Sequence, residues 1–253
     1  MRLKLKTAPA VEPVTLEEAK LHLKVDGAED NTLITTLITT ARELAERETK
    51  RAFITQTWQM YLDQAPQIIE IPKPPLQSIV SIKTISVTES YVDVTSALGQ
   101  AVLSVAETDG FVAGSSIVIN RDGAREEEMV ILSVQTAVSL TLTTNLAKEH
   151  TAAQADRVEK YELVESSRYN IDASENSYGR VKLRSGCCWP AHRGFASFIV
   201  EFKAGYGDAA IDVPARFKQV ILQLVAHFHE NRGATGIPKE IQTLLWSLKI
   251  HRI

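Results

Sequence analysis

Residues 199–232 read IVEFKAGYGDAAIDVPARFKQVILQLVAHFHENR, and a change of pattern inside this stretch decides the fold. Its first six residues alternate, with Glu201 and Lys203 between apolar neighbours, which predicts a strand with unlike faces. Gly205 and Gly207 then allow backbone conformations that a strand cannot continue through, so we expect a turn. A helix is predicted directly after the turn.

The predicted helix has a start signal and one apolar stripe. Asp212 can accept hydrogen bonds from the first free amides, and Pro214 suits an opening turn because its missing N–H has no partner there anyway. The apolar positions at helical spacing are Phe217, Val220, Ile221, Leu224, Val225 and Phe228. Such a stripe must be buried against another element.

A second amphipathic helix is predicted over about residues 30–51, with Asp30 or Asn31 as its cap. Its apolar positions are Leu33, Ile34, Leu37, Ile38, Ala41, Leu44 and Ala45. The positions expected on its solvent side are Arg42, Glu43, Glu46, Arg47 and Lys50. A shorter helix precedes it, because Thr15 and Glu18 have the spacing of a capping box. Two long amphipathic helices at opposite ends of the chain favour a closed bundle.

The remaining pattern divides the chain into four parts. Residues 1–13 are basic, end in prolines and predict an N-terminal arm. Residues 14–91 and 161–232 form a core of helices and short strands. Residues 92–160 lack proline and tryptophan and contain repeated short strands, which predicts an inserted β-barrel or sandwich module. Residues 233–253 are a C-terminal docking segment. The predicted fold class is therefore α+β, a small helical bundle of long amphipathic helices with short β-strands plus an inserted all-β module.

Composition indicates an ordinary globular chain. It has 253 residues, of which 44% are hydrophobic and 23% charged, and its net charge is -3, so there is no overall basic field of the kind that binds nucleic acid. The N-terminus lacks a signal-peptide pattern and no stretch reaches membrane-spanning length, which predicts synthesis in the cytoplasm. Cys187 and Cys188 are adjacent, so a bridge between them would be strained.

Catalytic, cofactor and metal sites are not expected. His227 and His229 are two apart on a helix, whereas helical metal ligands need a spacing of three or four. Cys187 and Cys188 with His192 could form a thiol and base, but no family-specific signature surrounds them. The two glycines at 205 and 207 lack the third glycine of a dinucleotide loop. The sequence therefore predicts a protein that is not an enzyme.

The assembled motifs resemble a known family. In order they are TLEEAKLHL at 15–23, DNTLITTLITTARELAERETKR at 30–51, TW at 57–58, IPKPPLQSIVSI at 71–82, CCWP at 187–190, and the stretch 200–232. This order is similar to that of head-tail connector (adaptor, head completion) proteins of tailed bacteriophages. The resemblance covers roughly residues 14–90 and 161–250, and the inserted module departs from it.

The resemblance implies a virion structural protein without cofactors. Its subunits would form a twelvefold ring under the portal protein, extend the DNA channel and carry a tail-side completion or tail terminator protein. Double-stranded DNA would pass through the lumen without sequence specificity, and no membrane would be involved. The implied location is the head-tail interface of a virion assembled in the host cytoplasm.

A DNA-binding or DNA-processing accessory protein is the alternative. It would need cations concentrated on one helix face, but the basic residues of the second helix alternate with glutamates, as expected for paired surface charges. An enzyme of unassigned chemistry is a third hypothesis, which a deep pocket with perturbed acids would favour.

The tail is predicted to contact the portal or a neighbouring subunit. Gly233 and Gly236 give a flexible joint, and the contact residues are Ile241, Leu244, Leu245, Trp246 and Leu248. Packing of this helix on its own subunit stays open as the other arrangement. We also expect the N-terminal arm to take part in the ring interface, and the module to fold on its own.

Overall fold

The computed structural model describes residues 1–64, 66–174, 177–231 and 236–250. Over these ranges the chain forms four α-helices and twelve strands. The helices are α1 (Leu16–Leu23), α2 (Asn31–Thr49), α3 (Ala215–Glu230) and α4 (Lys239–Leu248). The strands before residue 92 are β1 (Arg2–Thr7), β2 (Gln56–Leu62), β3 (Ile68–Ile71) and β4 (Leu76–Tyr91). Those that follow are β5 (Val102–Ser104), β6 (Ser116–Ile119), β7 (Glu127–Gln135), β8 (Ser139–Leu142), β9 (Arg157–Leu163), β10 (Tyr169–Asp172), β11 (Gly179–Leu183) and β12 (Phe198–Ala204).

Two antiparallel sheets contain all of these strands. Nine strands pair in the order β1-β2-β12-β4-β9-β6-β7-β8-β5, and three pair in the order β10-β11-β3. The strand predicted at the start of the stretch 199–232 is β12, at the centre of the host part of the larger sheet, where it pairs with β2 and β4.

The alternation of β12 places its residues on two different surfaces. Phe198, Val200 and Phe202 are fully buried in a core that also contains Ile69 and Val181 of the three-stranded sheet. Ile199 lies on the opposite surface, in a smaller cluster of buried apolar and tyrosine side chains. The two sheets therefore pack face to face around the first core, as in a β-sandwich.

Strands β5 to β9 extend the larger sheet beyond β4. The far end of β4 pairs with β9, where Glu89 faces Glu159 and Tyr91 faces Arg157. A further bridge between Val92 and Val105 links the end of β4 to the end of β5, so strands β4 to β9 curl around a separate apolar core. This arrangement is a small barrel that uses the second half of β4 as one of its walls.

The helices form one layer with a single apolar core. Phe217, Val220 and Leu224 of α3 pack with Ile34 and Ile38 of α2. The other members of this core include residues of α1 and α4 and the segment that leads into β2. The two predicted stripes therefore bury one another.

The α+β class is confirmed, but the description as a bundle of long helices with short strands is not. The four helices contain 8, 19, 16 and 10 residues, whereas β4 alone runs for 16 residues inside a nine-stranded sheet. Hydrophobic periodicity reports local elements, and it does not report that strands distant in sequence pair into one sheet.

Of the residues predicted to cap the helices, only those of α1 make the expected side-chain bonds. Thr15 and Glu18 form the predicted capping box of α1. Asp30 occupies the cap position of α2 without a side-chain cap bond. Pro214, and not Asp212, is the residue that precedes α3.

Candidate assembly surfaces

The turn after β12 is held to the body of the protein by backbone hydrogen bonds. Gly205 has φ +137°, and a Cβ there would lie 2.6 Å from the carbonyl group of Ile54, so only glycine fits. The Tyr206 N–H donates to the Phe53 carbonyl at 2.9 Å, and the Thr55 N–H donates to the Gly207 carbonyl at 2.9 Å. The loop that follows is therefore anchored at its base.

Asp212 and Ile211 define the outer part of this loop. The Asp212 carboxylate accepts a hydrogen bond from the Ala209 N–H at 3.0 Å, which closes the short 3₁₀ turn Ala210–Asp212. This corrects the expectation that Asp212 caps α3, because its carboxylate is used one turn earlier. Ile211 is 85% exposed, the largest fraction among the large apolar side chains that the structure describes. The turn thus presents an isoleucine to solvent.

A buried ionic cluster stiffens the helical layer. Arg42 donates to Glu12 at 2.8 Å and to Glu46 at 3.0 Å. Glu46 also accepts hydrogen bonds from the Phe53 N–H at 2.8 Å and from the Gln56 amide at 2.7 Å. Burial raises the pKa of Glu46, and the donors around it oppose that rise.

The placement of Arg42 and Glu46 corrects the assignment of both residues to the solvent side of the helix. Their exposed fractions are only 6% and 5%. Segments on either side of α2 in sequence fold over this face, and helical spacing cannot show such a covering. An Arg and a Glu four residues apart also look the same in sequence whether they are exposed or buried.

Residues 2–7, expected to lie in an extended arm, form strand β1 at the edge of the larger sheet. Arg2 and Lys4 contact the Asp122 carboxylate at 2.6 and 3.1 Å, and Lys6 contacts Glu201 at 2.7 Å. Residues 2–7 therefore dock on the same chain through backbone pairing with β2 and through ion pairs, and β1 stays largely exposed.

Asp122 is the centre of this attachment. It lies between β6 and β7, and the Tyr61 hydroxyl donates to its carboxylate at 2.7 Å. Burial opposes ionisation of Asp122, but hydrogen bonds from Tyr61, Arg2 and Lys4 outweigh that effect and lower its pKa. The N-terminal strand, β2 and the barrel thus meet at one carboxylate.

A cleft of about 630 Å³ opens where the helical layer meets both sheets. Its apolar wall includes Leu3 and Ile68, and its charged residues include Arg47, Lys50 and Lys73. The Lys73 ammonium lies 5.2 Å from the centre of the Trp58 ring. Among the described residues that line the cleft, Glu70 supplies the carboxylate. The cleft is apolar inside and carries an excess of positive charge.

The predicted contact residues of the tail lie on α4, which packs on its own helical layer. Ile241 and Leu245 are buried in that layer at 8% and 2% exposure. Leu244 and Leu248 are partly buried against it, whereas Trp246 is 64% exposed. In this structure α4 therefore packs on its own chain, because its apolar stripe lies against α2 and α3. The expected joint at Gly233 lies outside the described residues.

The candidate chemical groups are dispersed. His229 contacts Asp30 at 3.4 Å, and the His192 ring faces the Pro190 carbonyl at 2.9 Å. Cys187 and Cys188 are free thiols. In the described ranges no group of three or more histidines, cysteines and carboxylates has a geometry that could hold a metal ion. None of the described helices combines the length and apolar character needed to cross a membrane.

Sequence reasoning missed the attachment of β1 and the cleft. The signal for β1 was present, because RLKLKT alternates cations with leucines at the period of a strand. Neither the role of Asp122 nor the cleft had a comparable signal, since both depend on residues that are far apart in the chain.

Comparison with known proteins gives one family and one fold. Residues 13–114 match the family described as phage gp6-like head-tail connector protein. This match confirms the family resemblance for residues 14–90, and it also extends over residues 92–114, where a departure from the family was expected. No curated protein sequence shows significant similarity to the chain.

Three solved structures share the fold along the whole chain. A chain of the virion of the native gene transfer agent (GTA) particle is 16% identical, with a TM-score of 0.59 and coverage of 100% of this chain and 97% of that one. A chain of the neck of the empty GTA particle, computed with C6 symmetry, is 14% identical with a TM-score of 0.57. A chain of the neck of the native GTA particle, computed with C12 symmetry, is 14% identical with a TM-score of 0.55. The last two cover the same shares of both chains.

Proposed function

We propose, on the premise that residues 13–114 belong to the gp6-like head-tail connector family, that this chain is a virion structural protein of the head-tail interface. Its copies form a ring under the portal, extend the DNA channel and provide the platform for tail attachment. The protein has a structural and not a catalytic role.

One observation carries this proposal, namely that the family match and the fold likeness point to the same place in a virion. The match covers α1, α2 and β2 to β5, and the likeness to neck chains of the GTA particle covers the whole chain, including the inserted barrel. Because one of those necks was computed with C12 symmetry, we propose a ring of twelve subunits.

The charges of α2 favour this function over a DNA-binding accessory role. A helix that reads DNA needs cations free to reach phosphates and bases. Arg42 is buried in ion pairs, Arg47 contacts Glu48 at 3.1 Å, and Arg51 donates to the Leu248 carbonyl at 3.2 Å. DNA is proposed to pass through the ring without being held, and a net charge of -3 suits this passage.

Partner surfaces follow from the exposed parts of the termini. The portal contact is proposed at α4, through Trp246 with Leu244 and Leu248 beside it, while Ile241 and Leu245 fix the helix to its subunit. Strand β1 is proposed to lie near a ring neighbour, because it forms one edge of the large sheet and is mostly exposed. A tail-side completion or tail terminator protein would bind the opposite end of the ring.

The division of the chain is also proposed. Residues 14–91 and 161–232 form the connector core, residues 92–160 a peripheral barrel, and residues 1–13 and 233–253 the two terminal segments. The separate apolar core of the barrel supports this division.

Mass measurement combined with negative-stain imaging tests the function, using the purified protein with and without its portal. We expect rings whose mass corresponds to twelve copies and which stack coaxially on the portal. Retention on duplex DNA that falls steeply with salt, without any ring on the portal, would instead support the accessory role. The contribution of the N-terminal arm to the ring is tested by deleting only residues 1–7. Glu12 should be kept, because its carboxylate accepts hydrogen bonds from Thr39 and Arg42.

A further inference from the structure

Two surface features of the molecule have opposite shape and charge. One is the loop 208–212, where the exposed Ile211 stands between Asp208 and Asp212. The other is the apolar cleft with Arg47, Lys50 and Lys73 among its lining residues. The residues that line the cleft do not include the loop of the same chain.

The loop has the properties of a preformed knob. Its base is fixed by the backbone bonds of Tyr206 and Gly207, and its tip is closed by Asp212. A rigid loop loses little conformational freedom on binding, so its isoleucine can be buried at low entropic cost. Ile211 is 85% exposed on this anchored loop, so its side chain is available for a contact outside the subunit.

The cleft has the complementary properties. Its volume of about 630 Å³ exceeds what one branched side chain occupies, so a short turn with its flanking residues can enter. Arg47 is already paired with Glu48, but Lys50 and Lys73 still outnumber Glu70 at the walls, and this excess of positive charge favours an acidic occupant. The loop 208–212 supplies two carboxylates beside its apolar tip.

We propose that the loop 208–212 of one copy inserts into the cleft of the next copy, with Ile211 against Leu3 and Ile68 and with Asp208 near Lys50. Two different surfaces that complement each other make a head-to-tail contact, and a head-to-tail contact repeats into a ring when its rotation closes. This inference rests on the proposed ring, for which it supplies the subunit contact.

Disulfide trapping tests the contact directly. In a background with C187S and C188S, one variant carries I211C and a second carries I68C. Oxidation of their equimolar mixture, assembled on the portal, should give a disulfide-linked dimer of the two variants. The matched control pairs I68C with L21C, because Leu21 is 82% exposed on α1 and lies outside the loop and the cleft. The control pair should not cross-link.

Charge exchange gives an independent readout. K50E and D208K should each raise the protein concentration needed for assembly by at least tenfold, and the double variant K50E/D208K should restore assembly. I211D should raise the protein concentration needed for assembly as the single charge variants do. The melting temperature of the monomer should stay unchanged, because Ile211 is 85% exposed.

The outcomes separate this contact from the function. Rings on the portal without a 211–68 cross-link, or normal assembly of I211D, would refute the inference and leave the connector function in place. A cross-link from I68C to the portal would show that a portal segment fills the cleft, and would also refute it. If the wild-type chain forms no ring under any condition, both proposals fail.

Discussion

The Glu46 carboxylate ties the helical layer to the larger sheet. It joins Arg42 of α2 to the Phe53 N–H and to Gln56 at the start of β2. A buried carboxylate with these partners fixes the distance between two layers, because removing it leaves three donors without an acceptor.

We predict that E46A lowers the free energy of unfolding by about 3–5 kcal/mol, the usual result of breaking a buried ion pair by removing one partner. Urea denaturation monitored by circular dichroism measures this change. The control is E43A, because the Glu43 side chain is 66% exposed and its removal should change stability by less than about 0.5 kcal/mol. Equal effects of the two substitutions would contradict the role given to Glu46.

The pH dependence of Glu46 has a definite sign. Its pKa is raised in the folded state, so the folded protein binds the proton more tightly than the unfolded chain. The stability associated with this proton is complete below the ordinary glutamate pKa of about 4.3 and is lost as pH rises through the folded pKa. Relative to E46Q, which does not titrate, the wild type should therefore lose stability as pH rises from the ordinary glutamate pKa through the raised pKa of the folded state. A gain over that interval would show that the ion pair with Arg42 outweighs burial.

The alternating pattern of β1 predicts the strand itself but not the place where it docks. The pattern RLKLKT indicates a strand with one basic face, but its partner Asp122 lies more than a hundred residues away in sequence. Local pattern therefore predicts that a strand forms, and the folded sheet decides where it docks. The same limit applies to α4, whose apolar stripe is evident in sequence while the surface that covers it is not.

We predict that D122A loosens β1 without unfolding the protein. Loss of the carboxylate removes the partner of Arg2, Lys4 and Tyr61, so hydrogen exchange should become faster at the amides that pair β1 with β2. The matched control is D172A, which breaks the exposed ion pair between Asp172 and Arg180 on the three-stranded sheet and should leave β1 unchanged.

Because the pKa of Asp122 is lowered, its contribution should persist at neutral pH and disappear as pH falls through that pKa. Unchanged exchange in D122A would mean that backbone pairing alone holds β1.

A pair of substitutions in α4 separates its attachment to the subunit from its proposed portal contact. L245A should lower the free energy of unfolding by about 2–5 kcal/mol, because Leu245 is 2% exposed in the helical core. W246A should leave stability nearly unchanged and weaken binding to the portal in a pull-down, since Trp246 is 64% exposed. Normal portal binding by W246A would move the contact elsewhere on the chain.

The sequence predicts the separate parts of the molecule, but it does not predict that one strand, β4, connects the sheet core with the barrel. The two long helices, the strand at residue 199 and a β-rich insertion are all predictable because each has a local period. The course of β4 from the first core into the barrel is not predictable in this way. It depends on strand pairing, because the first part of β4 pairs with β12 and its far end pairs with β9. The candidate assembly surfaces are even less predictable from sequence. The cleft is lined by residues that are far apart in the chain, and the exposure of loop 208–212 is known only from the folded structure.

This continuity changes the prediction for the isolated barrel. A fragment of residues 92–160 lacks Glu89 to Tyr91, which pair with residues 157–159 of β9, so it leaves one wall of the barrel open. A fragment of residues 86–163 retains that wall and the whole apolar core. We predict a single cooperative thermal transition for the longer fragment and none for the shorter one, measured by far-UV circular dichroism. The longer fragment with L140D, which places a charge where Leu140 is fully buried, is the control and should not fold. If both fragments melt alike, the end of β4 contributes nothing to the barrel. If neither folds, the barrel depends on its contact with the host sheet, where Val118 and Tyr161 pack against Tyr61 and Ile199.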